Sequence, residues 1–250
     1  MKIAARLLVA MLLIGGERAA SAQTADEVVE KYLAAVGGRE ALSKLKSRTM
    51  TGTITVSTPG GEVSGPVEIV NEAPNKARTL IKLDLSAFGA GSMTFDQRFN
   101  GTTGYVIDTL QGNRDISGGQ LEAMKNVVFP TPLLTYKEMG ATVELAGKEK
   151  VGDRDTYVVV LKPKSGPAIR QFIDAESFLL LKVSAKIDVP QFGEVEQTTE
   201  LSDVRVVDGV KVPFAIKTTS TVQNSSVVLT KVEHNTTIDE SIFSKPPDKQ

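Results

Sequence analysis

The run SRTMTGTITVSTPGGEVSGPVEIVN, residues 47–71, decides the fold. From Ser47 the pattern has a period of two: Met50, Gly52, Ile54 and Val56 fall on one face, and Thr49, Thr51, Thr53 and Thr55 on the other. The β-branched content suits a pleated, half-buried strand. Pro59-Gly60-Gly61 breaks the run, and Glu62 to Asn71 resumes it with Val63, Val67 and Ile69 on one side, which predicts an antiparallel hairpin.

Upstream of this hairpin the period is helical. Thr24 with Glu27 forms a capping box ahead of Val28, Val29, Tyr32, Leu33 and Val36, which predicts a helix over Ala25 to Val36. Gly37-Gly38 ends it, and Leu42 and Leu45 predict a short second helix to about Lys46.

Downstream, strands are predicted over Ala77 to Leu85, Ser92 to Phe99 and Thr103 to Leu110, separated by glycine-rich breaks. The gaps are too short for parallel crossovers, so the strands read as a meander. The rhythm stops at Ser117 to Phe129, where Leu121, Met124, Val127 and Val128 have helical spacing before Pro130 and Pro132; Thr131-Pro132 can start a further turn of helix through Met139.

Strands then return over about Val143 to Val151, Tyr157 to Pro163, Ala168 to Asp174, Leu179 to Asp188, Glu194 to Val207, Val212 to Gln223 and Ser226 to Thr236. Phe243, in the closing turn and tail, is expected to pack back on the body. No linker or composition shift divides residues 23–250, which read as one mainly β (α+β) domain.

The first 22 residues read as a cleavable export signal: Lys2 and Arg6, then an apolar run from Leu7 to Ile14, then Ala20-Ser21-Ala22 with cleavage after Ala22. That run is far shorter than the ~20 apolar residues of a spanning helix. Its removal takes away a net +2, leaving the chain at −3 instead of −1. A balance of mixed signs lacks the basic stripe that nucleic acid requires.

Cysteine is absent, which excludes disulfides, thiolate catalysis and a lipid-modified cysteine after the signal. The reading is a periplasmic protein without a lipid anchor, not an integral membrane protein, since strands with polar faces and a chain without Trp do not suit a lipid-facing barrel.

Chemistry-bearing residues are sparse. The single histidine, His234, shares an alternation with Val228, Thr230 and Val232, and lacks the partners that a triad or zinc site needs. Glu194, Glu196 and Glu200 fall on one strand face, read as solvated, and Asp153 and Asp155 belong to a plain hairpin turn. Neither a catalytic residue, a metal site nor a cofactor is expected.

What remains is an apolar inventory: one long sheet face and few helices to bury it. The sheet can curl on itself, take a second sheet, or keep a cavity open for a ligand.

Three segments carry a resemblance: Val36-Gly37-Gly38-Arg39-Glu40-Ala41-Leu42 with the Thr-rich first strand, Val206-Val207-Asp208-Gly209-Val210-Lys211-Val212-Pro213-Phe214, and the ending Asp239 to Pro246. Together they resemble exported bacterial outer-membrane lipoprotein-sorting proteins of the LolA/LolB-like superfamily. The resemblance implies a curved antiparallel half-barrel, with the N-terminal helices and the mid-chain helix over its open side.

It also implies a hydrophobic cavity for acyl chains, and hence a non-catalytic carrier or chaperone for lipids or lipoproteins. An alternative is an RseB-like sensing module that acts on a membrane-associated protein partner. The cavity and lid residues expected on this basis are Met50, Ile54, Val56, Val67, Ile69, Met93, Phe95, Phe99, Leu121, Met124, Val127 and Phe129. The helix carrying Leu121 and Met124 is the candidate lid, with an ordinary core helix as the alternative reading of the same spacing.

Overall fold

The computed structural model describes residues 23–58, 60–189 and 192–247, so the expected cleavage point after Ala22 lies outside the described residues. Helix α1 (Ala25–Ala35) starts with the expected capping box: the Thr24 hydroxyl accepts from the Glu27 amide at 3.2 Å, and the Glu27 carboxylate accepts from the Thr24 amide at 2.9 Å. It stops at Gly37, whose φ of 134° suits glycine and whose Cβ, if present, would lie 2.8 Å from the Gly209 carbonyl oxygen. Helix α2 is shorter than expected, Arg39–Ser43.

The strands are β1 (Ser47–Thr58), β2 (Gly61–Glu72), β3 (Lys76–Asp84), β4 (Ser92–Phe99), β5 (Gly104–Asp108) and β6 (Arg114–Ile116), then β7 (Thr142–Val151), β8 (Arg154–Lys162), β9 (Ile169–Asp174), β10 (Leu180–Val189), β11 (Gly193–Val207), β12 (Val210–Ser220) and β13 (Asn224–His234). All thirteen form one sheet in the order β6-β5-β4-β3-β2-β1-β13-β12-β11-β10-β9-β8-β7, and every pairing is antiparallel.

The sheet is open, and its two edges, β6 and β7, are consecutive in the chain. The segment that joins them carries α3 (Gly118–Lys125) and α4 (Pro132–Thr135). Both helices are shorter than the sequence suggested.

A register shift between β1 and β13 corrects one expectation. Thr51 pairs with Lys231 but Gly52 pairs with Leu229, so Thr230 is an extra residue on β13. The bulge reverses the alternation: Val232 is buried on the concave side with Met50, whereas Val228 points outward and is 54% exposed. His234 therefore shares a face with Val232 and not with Val228.

The concave side holds three apolar clusters. In the largest, the α1 stripe of Val28, Val29, Tyr32 and Leu33 meets Val159, Leu161 and Ile173 from one limb of the sheet and Val212, Phe214, Leu229 and Val232 from the other. A second gathers Ile54, Val56, Val63, Val67 and Leu83, and a third Phe99, Val106, Ile116 and Met124. Phe243 packs back as expected, 1% exposed, from a short 3-10 turn against β3 and β4.

Curvature has a local cause. A Cβ on Gly52 would lie 2.2 Å from the Val228 carbonyl oxygen, and one on Gly65 would lie 2.0 Å from that of Lys82. Neighbouring strands fold inward over these two positions. Gly65→Ala is expected to destabilise the protein by about 1–3 kcal/mol, the usual range for overpacking, read from the urea midpoint. An unchanged midpoint would mean that the sheet bends without needing a glycine there.

Candidate functional site

Strand register assembles a transverse apolar row on the concave face. Leu201 pairs with Ile216, Ile216 with Val227, Val227 with Ile54, and Ile54 with Gly65. A groove of about 560 Å³ runs at the Leu201–Ile216–Val227 end of this row, lined also by Leu179 and Leu181, by Glu200, Lys217 and Val228 of the opposite strand face, and by Val151, Arg154 and Asp203. Its volume falls in the ~300–1,000 Å³ range of small-molecule sites.

Leu179 and Val227 pack against the largest cluster as well, and Val227 touches the second, so the groove is continuous with the core. Its central side chains, Leu201, Ile216 and Val227, are only half-buried. Two of the charges that line it are paired, Arg154 at 2.7 Å from Asp174 and Asp203 at 2.6 Å from Arg205, and Glu200 and Lys217 line it as well.

The residues expected to line a cavity are distributed over all three clusters. Ile54, Val56 and Val67 form the second cluster, with Ile69 and Met93 packed on it, and these lie beside the groove. Phe99 and Met124, with Phe95 and Leu121 against them, form the third, where Phe99 is fully buried. Met50 and Phe129 belong to the largest, and Val127 points to solvent, 53% exposed. None of them borders the groove itself.

Helix α3 bridges the two limbs. Its apolar side meets β4, β5 and β6 through Met124 and Leu121. On the other side the Asn126 side chain donates to the Ser165 carbonyl at 2.7 Å, and the Ser165 hydroxyl donates to Glu122 at 3.1 Å. Helix α4 buries Leu133 in the largest cluster and is tied to α2 by Arg39, which donates to the Leu134 carbonyl at 3.0 Å.

Sequence reading did not single out Arg48. It lies two residues before Met50 on the same face, and its guanidinium stands 5.0 Å from the centroid of the Phe129 ring in the covering segment. Its Nε donates to His234 Nε2 at 3.1 Å, and His234 Nδ1 lies 3.1 Å from Asp208. Among the described residues no carboxylate pairs with Arg48, and burial pulls its guanidinium down to about 10.

The neutral imidazole, with Nδ1–H toward Asp208 and the Nε2 lone pair toward Arg48, satisfies both contacts. Burial lowers the pKa of His234, the Arg48 charge adds to this, and Asp208 opposes it.

The carboxylate readings stand as placed. Glu194 pairs with Lys186 at 2.7 Å, Glu196 accepts from the Ser184 hydroxyl at 2.6 Å, and Glu200 is exposed on the same outer face. Among the described residues no cluster of three or more His, Asp or Glu could hold a metal ion.

No curated protein matches the sequence. A family model described as "Uncharacterized protein" matches residues 135–246. The chain is similar in structure to an outer membrane lipoprotein-sorting protein domain from Vibrio parahaemolyticus, at 12% identity and a TM-score of 0.56, covering 87% of this chain and 95% of that one.

It is likewise similar to a LolA superfamily protein from Nitrosomonas europaea, at 14% identity and 0.56 over 90% and 99% of the two chains. A DUF1329 family protein from Desulfovibrio piger gives 12% and 0.57 over 87% and 95%. At these identities the likeness is one of architecture: the chain has the fold of the LolA superfamily, as its sequence motifs implied.

The histidine relay has a measurable consequence. Unfolded, His234 takes up its proton near the ordinary 6.5; folded, it stays neutral to lower pH. The unfolded state then binds more protons, so this contribution is complete above that value and is lost as pH falls below it. Between about pH 7.5 and 5.5 the wild type should lose more stability in urea than His234→Gln; equal losses would show that the relay does not control the titration.

Proposed function

We propose that this chain is an exported, non-catalytic carrier of acyl chains, a periplasmic lipid or lipoprotein chaperone released from its 22-residue signal after Ala22. In this reading residues 23–250 act as a single half-barrel unit without a lipid anchor. The observation that carries the reading is the groove of about 560 Å³ lined by the half-buried Leu201, Ile216 and Val227. The fold shared with a lipoprotein-sorting domain and a LolA superfamily protein supports it.

Burying about ten methylenes contributes about 8 kcal/mol, against an association cost of about 4–15 kcal/mol. Long chains therefore bind and short ones do not.

The proposed site extends the groove into the expected lining. Ile54, Val56, Val67, Ile69 and Met93 continue its floor. Met50, Phe95, Phe99, Leu121, Met124, Val127 and Phe129 join it when the segment carrying α3 swings away. The partners are acyl chains and, at delivery, a membrane-associated protein. No helix among the described residues is long and apolar enough to cross a membrane.

A fluorescent fatty acid of about 16 carbons should bind the purified protein, and an analogue of about eight carbons should not. Ile216→Glu places a charge in the groove at a half-buried position and should weaken binding more than tenfold, by about 1.4 kcal/mol or more, with little change in thermal stability. Hydrogen exchange in residues 117–131 should rise in the loaded protein. Equal binding of both chain lengths, or no binding at all, would defeat the carrier reading.

A further inference from the structure

With the signal removed after Ala22, as proposed, Gln23 opens the released chain. It precedes Thr24, the N-cap of α1, and so occupies the position from which a side chain can fold back on the fourth helical residue, the fully buried Val28. A carboxamide is poorly suited to that place. The Gln23 Nε2 is buried, and among the described residues it has no hydrogen-bond partner. A buried donor without an acceptor is uncommon in a folded protein.

Charge adds to the mismatch. Signal removal turns the Gln23 nitrogen into an α-ammonium one residue before the N-cap, where the aligned dipoles of α1 already present partial positive charge. The carboxylates of the first turn are committed elsewhere. Glu27 accepts from the Thr24 amide at 2.9 Å, and Asp26 accepts from the Tyr136 hydroxyl and lies 2.9 Å from Lys137.

One reaction removes both faults. The free α-amine of an N-terminal glutamine attacks its own Cδ: the N–Cδ bond forms, the Cδ–Nε2 bond breaks, and one amine proton leaves with Nε2 as ammonia. No oxidant, reductant or other co-reactant takes part. The product is a five-membered lactam without charge and without Nε2, a compact ring of the kind that the position before an N-cap accepts. The Thr24 amide is untouched, so the capping box persists.

Resting on the cleavage reading and not on the carrier reading, we propose that Gln23 is a modification site and that the mature protein begins with pyroglutamate, which completes the N-terminal cap of α1. The stripe of α1 meets both limbs of the sheet, so the ring secures the start of the helix that joins them.

The test follows the intact mass of the full-length chain after export and purification from the periplasm, over a week at neutral pH. The expected mass is that of residues 23–250 less one ammonia, and the denatured chain should resist N-terminal degradation until pyroglutamyl peptidase has acted. Gln23→Asn, which would have to close a four-membered ring, should keep its full mass. Asn100-Gly101 can also lose ammonia, as a succinimide, so a loss that persists in Gln23→Asn overturns the assignment to Gln23. A chain that starts at Gln23 and keeps its full mass overturns the modification and leaves the cleavage point intact; a chain that starts at any other residue overturns both. At about pH 6.5 the cyclised protein should melt about 1–3 °C above Gln23→Asn, and the gap should narrow by about pH 9.5, where the amine of the variant is neutral. An equal gap at the two pH values, or none at the lower, overturns the capping role.

Discussion

The pairing of β1 with β13 governs the rest of the molecule. It places the first and last strands side by side in the middle of the sheet, so that β6 and β7, which are neighbours in the chain, become the two free edges. The peptide between them has no path except across the gap, and α3 and α4 lie on that path. A meander without this central pairing would be two smaller sheets, each with its own exposed edges to protect. One long-range ladder thus gives both the hollow and its cover.

How the hollow is filled follows from where helices can reach. The α1 stripe contacts both limbs at once, and α4 adds Leu133 to the same cluster. Helix α3 is committed to β4, β5 and β6, with Met124 against Phe99 and Val106. Burial along the concave face therefore declines from Val212 and Phe214, which are buried, to Ile216 and Thr218, which are half-buried. Strand β12 alone records the gradient.

Local pattern made the strands legible, and register made the site illegible. The alternation of Met50, Ile54 and Val56 predicts β1 and its face directly, and the capping box at Thr24 predicts α1. Strand β6 has three residues, too few for a period to be visible. The Thr230 bulge leaves the sequence alternation intact while reversing its meaning, which is why Val228 seemed to share a face with His234. Leu201, Ile216 and Val227 belong to three strands, and only their pairing shows that they adjoin. Arg48 was accessible in principle, because a charge in phase with Met50 and Ile54 contradicts an apolar face.

That contradiction bears on how the cover is held. An apolar side chain at position 48 would fill the same space without the desolvation that a guanidinium incurs. The charge is stabilised instead by the Phe129 ring and by the His234 lone pair, two partners that belong to different parts of the chain. A cation–π contact strengthens when dry and weakens when water reaches the cation. The attachment of Phe129 to the sheet is consequently coupled to the hydration of the hollow, whereas the Leu133 anchor of α4, which is wholly apolar, is not. Between the attachments at Phe129 and at Leu133, the one at Phe129 is the one that a change in the contents of the hollow can loosen.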